Sequence, residues 1–335
     1  MMLDYKLDTL RSVRTPNSIR GYDLIQDNLN LVEGLLLAEQ PGQHSLMTDA
    51  ASQLFQAGGK RIRAAICLLT AGVFGADPEA SLSLAAGIEM LHNATLVHDD
   101  LIDESVLRRG KPTLNSGQNA KFSVLIGDYF FARAANLVAE TNKLDIMRQF
   151  AETLTTILNG EINQQFSRWR VDRQEYFDRI YAKTGAMFVL AAKSAATLGE
   201  ADEQEVLSLE KYGYYTGIAF QIIDDILDFI GKPDQLGKPI GSDLRQGLFT
   251  LPVLLYIDQH PNDPDFIQLL EVQDGDSPAA ANLANTILDS DAIDRALSEA
   301  RDLVSQGQRA LRDVPHSPYT DALSSIADTI VNRKV

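Results

Sequence analysis

Apolar residues recur every three or four positions along most of the chain, which is the spacing of amphipathic helices. In the first such segment, Ile25, Leu29, Val32 and Leu36 fall on one helical face. The same spacing predicts further helices over residues 82–99, 119–140, 144–168, 174–198, 203–230, 248–258, 280–289, 291–311 and 318–332. No convincing alternating strand, hairpin dipeptide or internal repeat is present in the sequence. We therefore predict an all-α protein.

Prolines and glycines mark where these helices start and stop. Asp77–Pro78 and Ser317–Pro318 predict helix starts, because proline fits the first helical turn. Residues 231–247, with four glycines and two prolines, and residues 259–278 predict loops. Neither loop requires a domain boundary, so we expect one helical domain over 1–335, with 1–20 as an N-terminal extension.

The composition narrows the class of protein. The 335 residues are 45% hydrophobic and carry a formal net charge of −16, which argues against nucleic acid as a partner. A single cysteine, Cys67, excludes an internal disulfide and fits a reducing compartment. The longest apolar run, 64–74, is about half the roughly 20 residues that span a bilayer. Asp4 and Asp8 are unlike a signal or transit peptide, so we expect a cytoplasmic protein without a transmembrane segment.

Two acidic clusters share the pattern DDxxD, which occurs nowhere else in the chain. The first acidic motif, Asp99–Asp103, follows the apolar run MLHNATLVH, and the second, Asp224–Asp228, follows GIAFQII. In a helix, residues four apart lie one above the other, so the first and last aspartates of each motif project together. Each pair of carboxylates about 6 Å apart repels by roughly 3 kcal/mol at an effective dielectric constant near 20.

That repulsion suggests a bound cation. Carboxylate oxygens without nearby cysteine favour Mg²⁺ or Mn²⁺, and Mg²⁺ usually shares its coordination shell with water and substrate phosphate. The alternative is that each motif is a solvated helix end or a capping cluster. Two such motifs on apolar helices favour the metal interpretation.

Positive charge is concentrated in two places. Gly58–Arg63 (GGKRIR) predicts a glycine turn leading into a helix with three cations in its first turn. Cations there oppose the helix dipole, so the segment suits a diphosphate. Arg108–Lys111 (RRGK) follows the first acidic motif closely, which suggests a metal-bridged diphosphate held from both sides. Surface salt-bridge clusters are the alternative for either island.

Seven motifs, taken in chain order, resemble those of the trans-isoprenyl (polyprenyl) diphosphate synthases. They are GGKRIR, HDDLID, RRGKP, GDYFFARA, KTG, FQIIDDILDF and LGKPIGSDL. The resemblance extends from about residue 20 to the C-terminus. It implies a helical bundle around a deep central cavity, a homodimer, and head-to-tail condensation of isopentenyl diphosphate with an allylic diphosphate. It also implies two or three Mg²⁺ ions per site, with Mn²⁺ as an alternative.

The resemblance implies a role for each matching residue. The metal ligands would be Asp99, Asp103, Asp224 and Asp228, supported by Asp100 and Asp225. Isopentenyl diphosphate would be bound by Lys60, Arg63, His92 and Arg109. The allylic diphosphate would be held by Arg108, Lys183, Thr184, Gln221 and Lys238. The implied catalytic set is Asp99, Asp103, Arg108, Lys183, Asp224 and Asp228.

Product length is predicted from the residues before the first acidic motif. Thr95 and Ala94 stand where short-chain members tend to place an aromatic ring, so the cavity should continue past Leu91 towards Met90 and Gly87. We expect an all-trans product of at least C20, in the C30–C50 range. Two departures from short-chain members agree with a long-chain type: Leu248 replaces a lysine and Gln164 replaces an aspartate.

Alternatives remain for the function. A geranylgeranyl or farnesyl diphosphate synthase would make a shorter product. A class I terpene cyclase would not need GGKRIR and RRG, and a non-catalytic partner subunit would tend to lose aspartates or arginines. Peripheral membrane contact during product release stays open, although no basic amphipathic helix argues for it.

Overall fold

The structure is a computed structural model that describes residues 20–40, 42–55, 59–108, 111–117, 120–231 and 240–332. A 3₁₀ turn at Tyr22–Leu24 precedes the first helix. The helices are α1 Gln26–Leu37, α2 Ser45–Phe55, α3 Ile62–Val73, α4 Pro78–Ile102, α5 Leu114–Gly117, α6 Ala120–Ala139, α7 Leu144–Phe166, α8 Arg173–Ile180, α9 Ala186–Leu198, α10 Glu203–Ile230, α11 Ser242–Arg245, α12 Leu251–Gln259, α13 Pro264–Val272, α14 Pro278–Asp289, α15 Ala292–Ala310 and α16 Pro318–Val331. The predicted all-α class is confirmed.

Four helices were not predicted: the four-residue α5 and α11, of which α11 lies inside the predicted loop 231–247, and the longer α2 and α13. The α2 helix (SLMTDAASQLF) is short and rich in small and polar residues, and α13 lies inside the predicted loop 259–278. The start of α13 is set by Asp263, whose carboxylate accepts a hydrogen bond from the Phe266 amide at 3.0 Å, with Pro264 next in the chain. Its beginning is therefore fixed by capping chemistry, a signal that apolar spacing alone does not carry.

The predicted helix over 174–198 is interrupted. It consists of α8, a π-helical turn at Tyr181–Gly185, and α9. A π turn carries one extra residue, so side chains after it are rotated relative to those before it. Lys183 and Thr184, two predicted binding residues, lie inside this turn.

A two-stranded antiparallel pair follows the first acidic motif. β1 (Leu107–Arg108) pairs with β2 (Lys111–Pro112), Leu107 lying opposite Pro112. Strands of two residues leave no room for the alternating pattern from which strands are predicted.

The chain divides into two compact units. The first unit contains the described residues up to Glu152, with 187–210 and 310–326. Within it, α4 packs against α1, α3 and α6. A Cβ atom on Gly87 would lie 2.7 Å from Val138 Cγ2 and 3.1 Å from the Ala134 carbonyl oxygen. Gly87 therefore allows close packing of α4 on α6, because the space that a Cβ atom would occupy is filled by Val138.

The second unit contains 153–186, 211–309 and the described residues from 327. In it α8 contacts the π turn and α12, while α14 contacts α11, α12 and α13. The second acidic motif and the π turn both belong to this unit.

One described helix, α6, is long and apolar enough to cross a membrane by length and composition. Buried core helices pass the same test, and α6 packs along α4, with 44% of its most apolar window buried. The α6 helix is therefore one weak exception to the prediction that no segment is long and apolar enough to span a bilayer.

Candidate functional site

The first acidic motif lies at the C-terminal end of α4. Asp99 is half-buried in the last turn, and exposed Asp103 caps the helix, its amide donating to the Asp99 carbonyl oxygen at 2.8 Å. Glu104 follows with a left-handed φ of 51°, which ends the helix. The helical spacing that brings Asp99 and Asp103 to one side is thus preserved up to the cap.

Asp100 points the other way. Its side chain is 4% exposed and accepts a hydrogen bond from Arg108 Nε at 2.7 Å. Arg108 is in β1, which the turn after α4 brings back beside the helix end. The predicted supporting aspartate therefore holds one of the predicted diphosphate-binding arginines through a charge-assisted hydrogen bond.

The second acidic motif lies near the end of α10, in the second unit. Asp224 and Asp228 are half-buried, whereas Asp225 is 3% exposed. Asp225 Oδ1 accepts from Gln221 Nε2 at 2.9 Å, and Gln221 Oε1 accepts from Thr184 Oγ1 at 2.6 Å. Predicted residues from two motifs, KTG and FQIIDDILDF, are thereby joined in one hydrogen-bond chain.

Burial raises the pKa of Asp225 to about 8, and the nearby Asp243 carboxylate adds to the increase. Hydrogen bonds from Gln221 and Tyr176, together with the positive charge of Arg179, act in the opposite direction. Burial outweighs them because removing a carboxylate from water disfavours its charged form. The buried middle carboxyl of the second motif therefore tends to hold a proton near neutral pH.

Asp243 belongs to the short α11 helix beyond the motif. Its amide donates to Asp228 Oδ2 at 3.2 Å, and the Gly241 amide donates to the Asp228 carbonyl oxygen at 3.1 Å. The amide of Leu248 donates to the Asp243 carbonyl oxygen at 2.9 Å. The buried Leu248 side chain thus follows a turn anchored on the second motif.

Lys183 forms an ion pair with Glu161, its Nζ lying 3.1 Å from Glu161 Oε1. Glu161 stands three residues before Gln164 on α7. Gln164 is 7% exposed and lines a cavity of 580 Å³, together with Arg170 and Arg179 among others. Glu161 was not predicted, although its place in GEINQ beside Gln164 was visible in the sequence.

The GGKRIR segment differs from its prediction. The α3 helix begins at Ile62, so Lys60 and Arg61 precede it, and only Arg63 is in the first turn. Lys60 is exposed, and its carbonyl oxygen accepts from the Tyr22 hydroxyl at 3.0 Å. Arg63 is 8% exposed, with its guanidinium 5.1 Å from the centre of the Phe188 ring, a cation–π distance.

Arg61 faces the protein interior. It has a left-handed φ of 46°, is 7% exposed, and donates to the Phe55 carbonyl oxygen at 2.9 Å. Its guanidinium lies 3.4 Å from Glu33 and 3.7 Å from Glu89, and Glu89 accepts from the Ala64 amide at 3.2 Å. One of the three predicted cations is therefore structural.

The remaining predicted residues in the first unit share α4. His92 is half-buried and stands seven residues before Asp99, two turns away on the same helix. Leu91 and Ala94 are fully buried, and the Thr95 hydroxyl donates to the His92 carbonyl oxygen at 2.7 Å. Arg109 and Lys238 lie outside the described residues.

Comparison with known proteins decides the family. A model of the polyprenyl synthetase family matches residues 44–287. The all-trans-nonaprenyl-diphosphate synthase (geranyl-diphosphate specific) of Rhodobacter capsulatus is 35% identical over 99% of each chain. Heptaprenyl diphosphate synthase component 2 of Bacillus subtilis (strain 168) is 33% identical over 94% of this chain and 90% of that relative. This chain belongs to the polyprenyl synthetase family.

A solved structure of the family agrees. The polyprenyl synthase from Caulobacter crescentus CB15, complexed with calcium and isoprenyl diphosphate, matches with a TM-score of 0.88 and 31% identity. The match covers 96% of this chain and 100% of that one. The predicted resemblance, all-α fold and prenyltransferase function of this polyprenyl synthetase are thus confirmed.

The carboxylates of the acidic motifs supply only part of a metal-binding shell. Among the described residues, no group of three or more His, Cys, Asp and Glu side chains lies close enough to hold an ion. Mg²⁺, however, is commonly bound by one or two carboxylates, with water and substrate phosphate completing its shell. The outer aspartates of each motif, which are half-buried or exposed, fit that pattern.

Proposed function

We propose that the chain is a Mg²⁺-dependent, long-chain trans-polyprenyl diphosphate synthase. It would condense isopentenyl diphosphate with an allylic diphosphate. The observation that carries the proposal is common to both acidic motifs: the middle aspartate is buried and hydrogen-bonded, while the outer two are half-buried or exposed. This suits an ion-binding site, because a buried and hydrogen-bonded middle aspartate fixes the helix end from which the outer carboxylates project.

The ligand set is taken from the motifs. Mg²⁺ would be held by Asp99, Asp103, Asp224 and Asp228 and would supply charge stabilisation for the departing diphosphate. Arg108 and Lys183, already oriented by Asp100 and Glu161, would hold the allylic diphosphate. With Thr184 and Gln221 they add donors where negative charge develops on the leaving group.

Isopentenyl diphosphate would be bound by Lys60, Arg63, His92 and Arg109. The bond between the allylic carbon and its diphosphate breaks, and C4 of the isopentenyl group forms the new bond to that carbon. The resulting cation at C3 of the isopentenyl group then loses a proton from C2 to the released diphosphate, which forms the new double bond. Buried apolar residues of α4, including Leu91 and Ala94, would keep water from the cation.

The resemblance implies that ions bound by the two motifs act on the same diphosphate. Mn²⁺ in the presence of inorganic diphosphate provides the test, because neighbouring Mn²⁺ ions couple magnetically. We expect a coupled electron paramagnetic resonance spectrum that Asp99→Asn and Asp224→Asn each abolish. Only isolated Mn²⁺ signals, lost one at a time, would contradict a shared site.

The product is proposed to lie in the C30–C50 range. One support is Ala94, a small residue at a position next to the first motif where an aromatic ring would block the growing chain. The other is the relatives, which are named as nonaprenyl and heptaprenyl synthases. The purified chain, with Mg²⁺, isopentenyl diphosphate and farnesyl diphosphate, should form such products, identified by mass spectrometry. A stop at C15 or C20 would contradict the long-chain assignment, and no turnover by the chain alone would contradict self-sufficient catalysis.

Three further features belong to the proposal. We expect a homodimer formed through α6, whose described outer residues include exposed Phe122, Val124 and Leu125. In sedimentation, Leu125→Glu should then convert a dimer of two 36.8 kDa chains into a monomer.

Cytoplasmic location is supported by Cys67, a buried free thiol. One catalytic domain is supported by the family match, which includes residues of both units.

A further inference from the structure

Tyr176 is a buried residue of α8 whose hydroxyl contacts the second acidic motif. It is 1% exposed and donates to Asp225 Oδ2 at 2.7 Å. Its ring is fixed by Phe177, at 5.2 Å between centroids, and by the Arg179 guanidinium, 5.7 Å from its centre. Arg179 in turn donates to the Phe249 carbonyl oxygen at 2.9 Å. The hydroxyl is therefore held in place from several sides.

Asp225 has both carboxylate oxygens engaged. Oδ1 accepts from Gln221 on the same helix, and Oδ2 accepts from Tyr176 on another element. A buried carboxylate held by two donors cannot rotate freely without losing one of them. Since Asp224 and Asp228 flank it on α10, the direction in which they project depends on the same contacts.

The segment between Tyr176 and Thr184 contains the start of the π turn at Tyr181–Gly185. Both ends of this segment are tied to α10, through the Tyr176–Asp225 and Thr184–Gln221 hydrogen bonds. Lys183 lies between these two attachments. Its direction therefore depends on how the widened turn is held against α10.

We infer that Tyr176 is a positioning residue, whose hydrogen bond to Asp225 orients the second acidic motif and Lys183 towards the allylic diphosphate. The inference rests on the proposed function and assigns Tyr176 no direct contact with substrate. The positioning role predicts an effect on the allylic substrate but not on isopentenyl diphosphate, because the residues assigned to isopentenyl diphosphate belong to the other unit.

The test compares Tyr176→Phe with a matched control, Tyr256→Phe. Tyr256 is also buried and donates to an aspartate, Asp263 Oδ2, at 2.8 Å, but lies on α12 outside the proposed site. Both variants lose one hydroxyl and keep the ring, so similar falls in melting temperature are expected. For Tyr176→Phe alone, KM for the allylic substrate and half-saturating Mg²⁺ should rise about tenfold, as for the loss of a buried hydrogen bond. KM for isopentenyl diphosphate should stay within about twofold.

A binding measurement separates this inference from the proposed function. Calorimetry with Mg²⁺ and an unreactive allylic thiodiphosphate should show about tenfold weaker binding to Tyr176→Phe than to Tyr256→Phe. Equal affinities of the two variants, or an equal rise in both KM values, would overturn the positioning role. Wild-type protein that binds the analogue without turning over substrates would instead overturn the proposed function.

A double-mutant cycle tests whether Tyr176 acts through Asp225. Asp225→Asn weakens the acceptor, so adding Tyr176→Phe to it should change affinity for the analogue by less than about twofold. Additive effects of the two substitutions would show that Tyr176 acts by another route and would also overturn the inference.

Discussion

Replacing Arg61 by methionine should destabilise the protein strongly, although Arg61 belongs to a segment rich in predicted binding residues. The guanidinium is 7% exposed and lies between Glu33 and Glu89, whose side chains are 13% and 3% exposed. Methionine retains most of the volume but leaves two largely buried carboxylates without their cation. It also removes the hydrogen bond to the Phe55 carbonyl oxygen.

The magnitude follows from burial and distance. Removing one partner of a buried ion pair costs about 3–5 kcal/mol. The ion-pair distances of 3.4 and 3.7 Å and the partial exposure of Glu33 place Arg61→Met at the lower end, about 3 kcal/mol.

Urea unfolding followed by circular dichroism at 222 nm measures these differences. Arg173→Met is the control, since Arg173 binds Glu299 in an ion pair that is 51% and 31% exposed. Such a surface pair contributes less than about 1 kcal/mol. If Arg61→Met cost no more than Arg173→Met, the structural role of Arg61 would be refuted.

Two further substitutions test the environment of α4. Ala94→Phe should shorten the product seen by mass spectrometry, because the ring would lie in the proposed path of the growing chain, while the first condensation keeps its rate. An unchanged product length would contradict that path. Gly127→Ala should lower the free energy of unfolding by about 1–3 kcal/mol, since the His98 ring occupies the space of the added methyl group. Thermal unfolding measures this loss, with Gly75→Ala as a control for a glycine with open space but a left-handed backbone.

Periodicity predicted the long helices well and the irregular turns poorly. The bounds of α10 agree with the prediction because 28 residues of sustained amphipathic spacing outweigh local variation. The π turn at Tyr181–Gly185 adds a single residue to a helical segment whose composition does not change, so no apolar pattern could locate it. The sequence likewise grouped Arg61 with Lys60 and Arg63 as cations of the first helical turn, whereas Arg61 precedes the helix, has a left-handed backbone and faces inward.

The acidic motifs show the same limit within the site. Their spacing predicts that the first and last aspartates share a face and that the middle one does not. Asp100 stands three residues after buried Val97, and Asp225 three after buried Ile222, so the sequence carried a signal that the middle aspartates face the core. Their partners could not be predicted, because Arg108 and Tyr176 approach through a hairpin and a separate helix.

Those partners differ in a way that matters for charge. Asp100 is bound to the cation Arg108, so the buried part of the first motif is a neutral ion pair. Asp225 receives hydrogen bonds from two uncharged donors while Asp243 lies close by, and its pKa is raised to about 8. Burying a carboxylate is unfavourable unless its charge is compensated. In the first motif the Arg108 guanidinium compensates the charge of Asp100. In the second motif Asp225 has neutral donors and a tendency to hold a proton. The orientation of the second motif therefore depends on hydrogen-bond geometry more than on charge pairing, which is why a single hydroxyl on Tyr176 can control it.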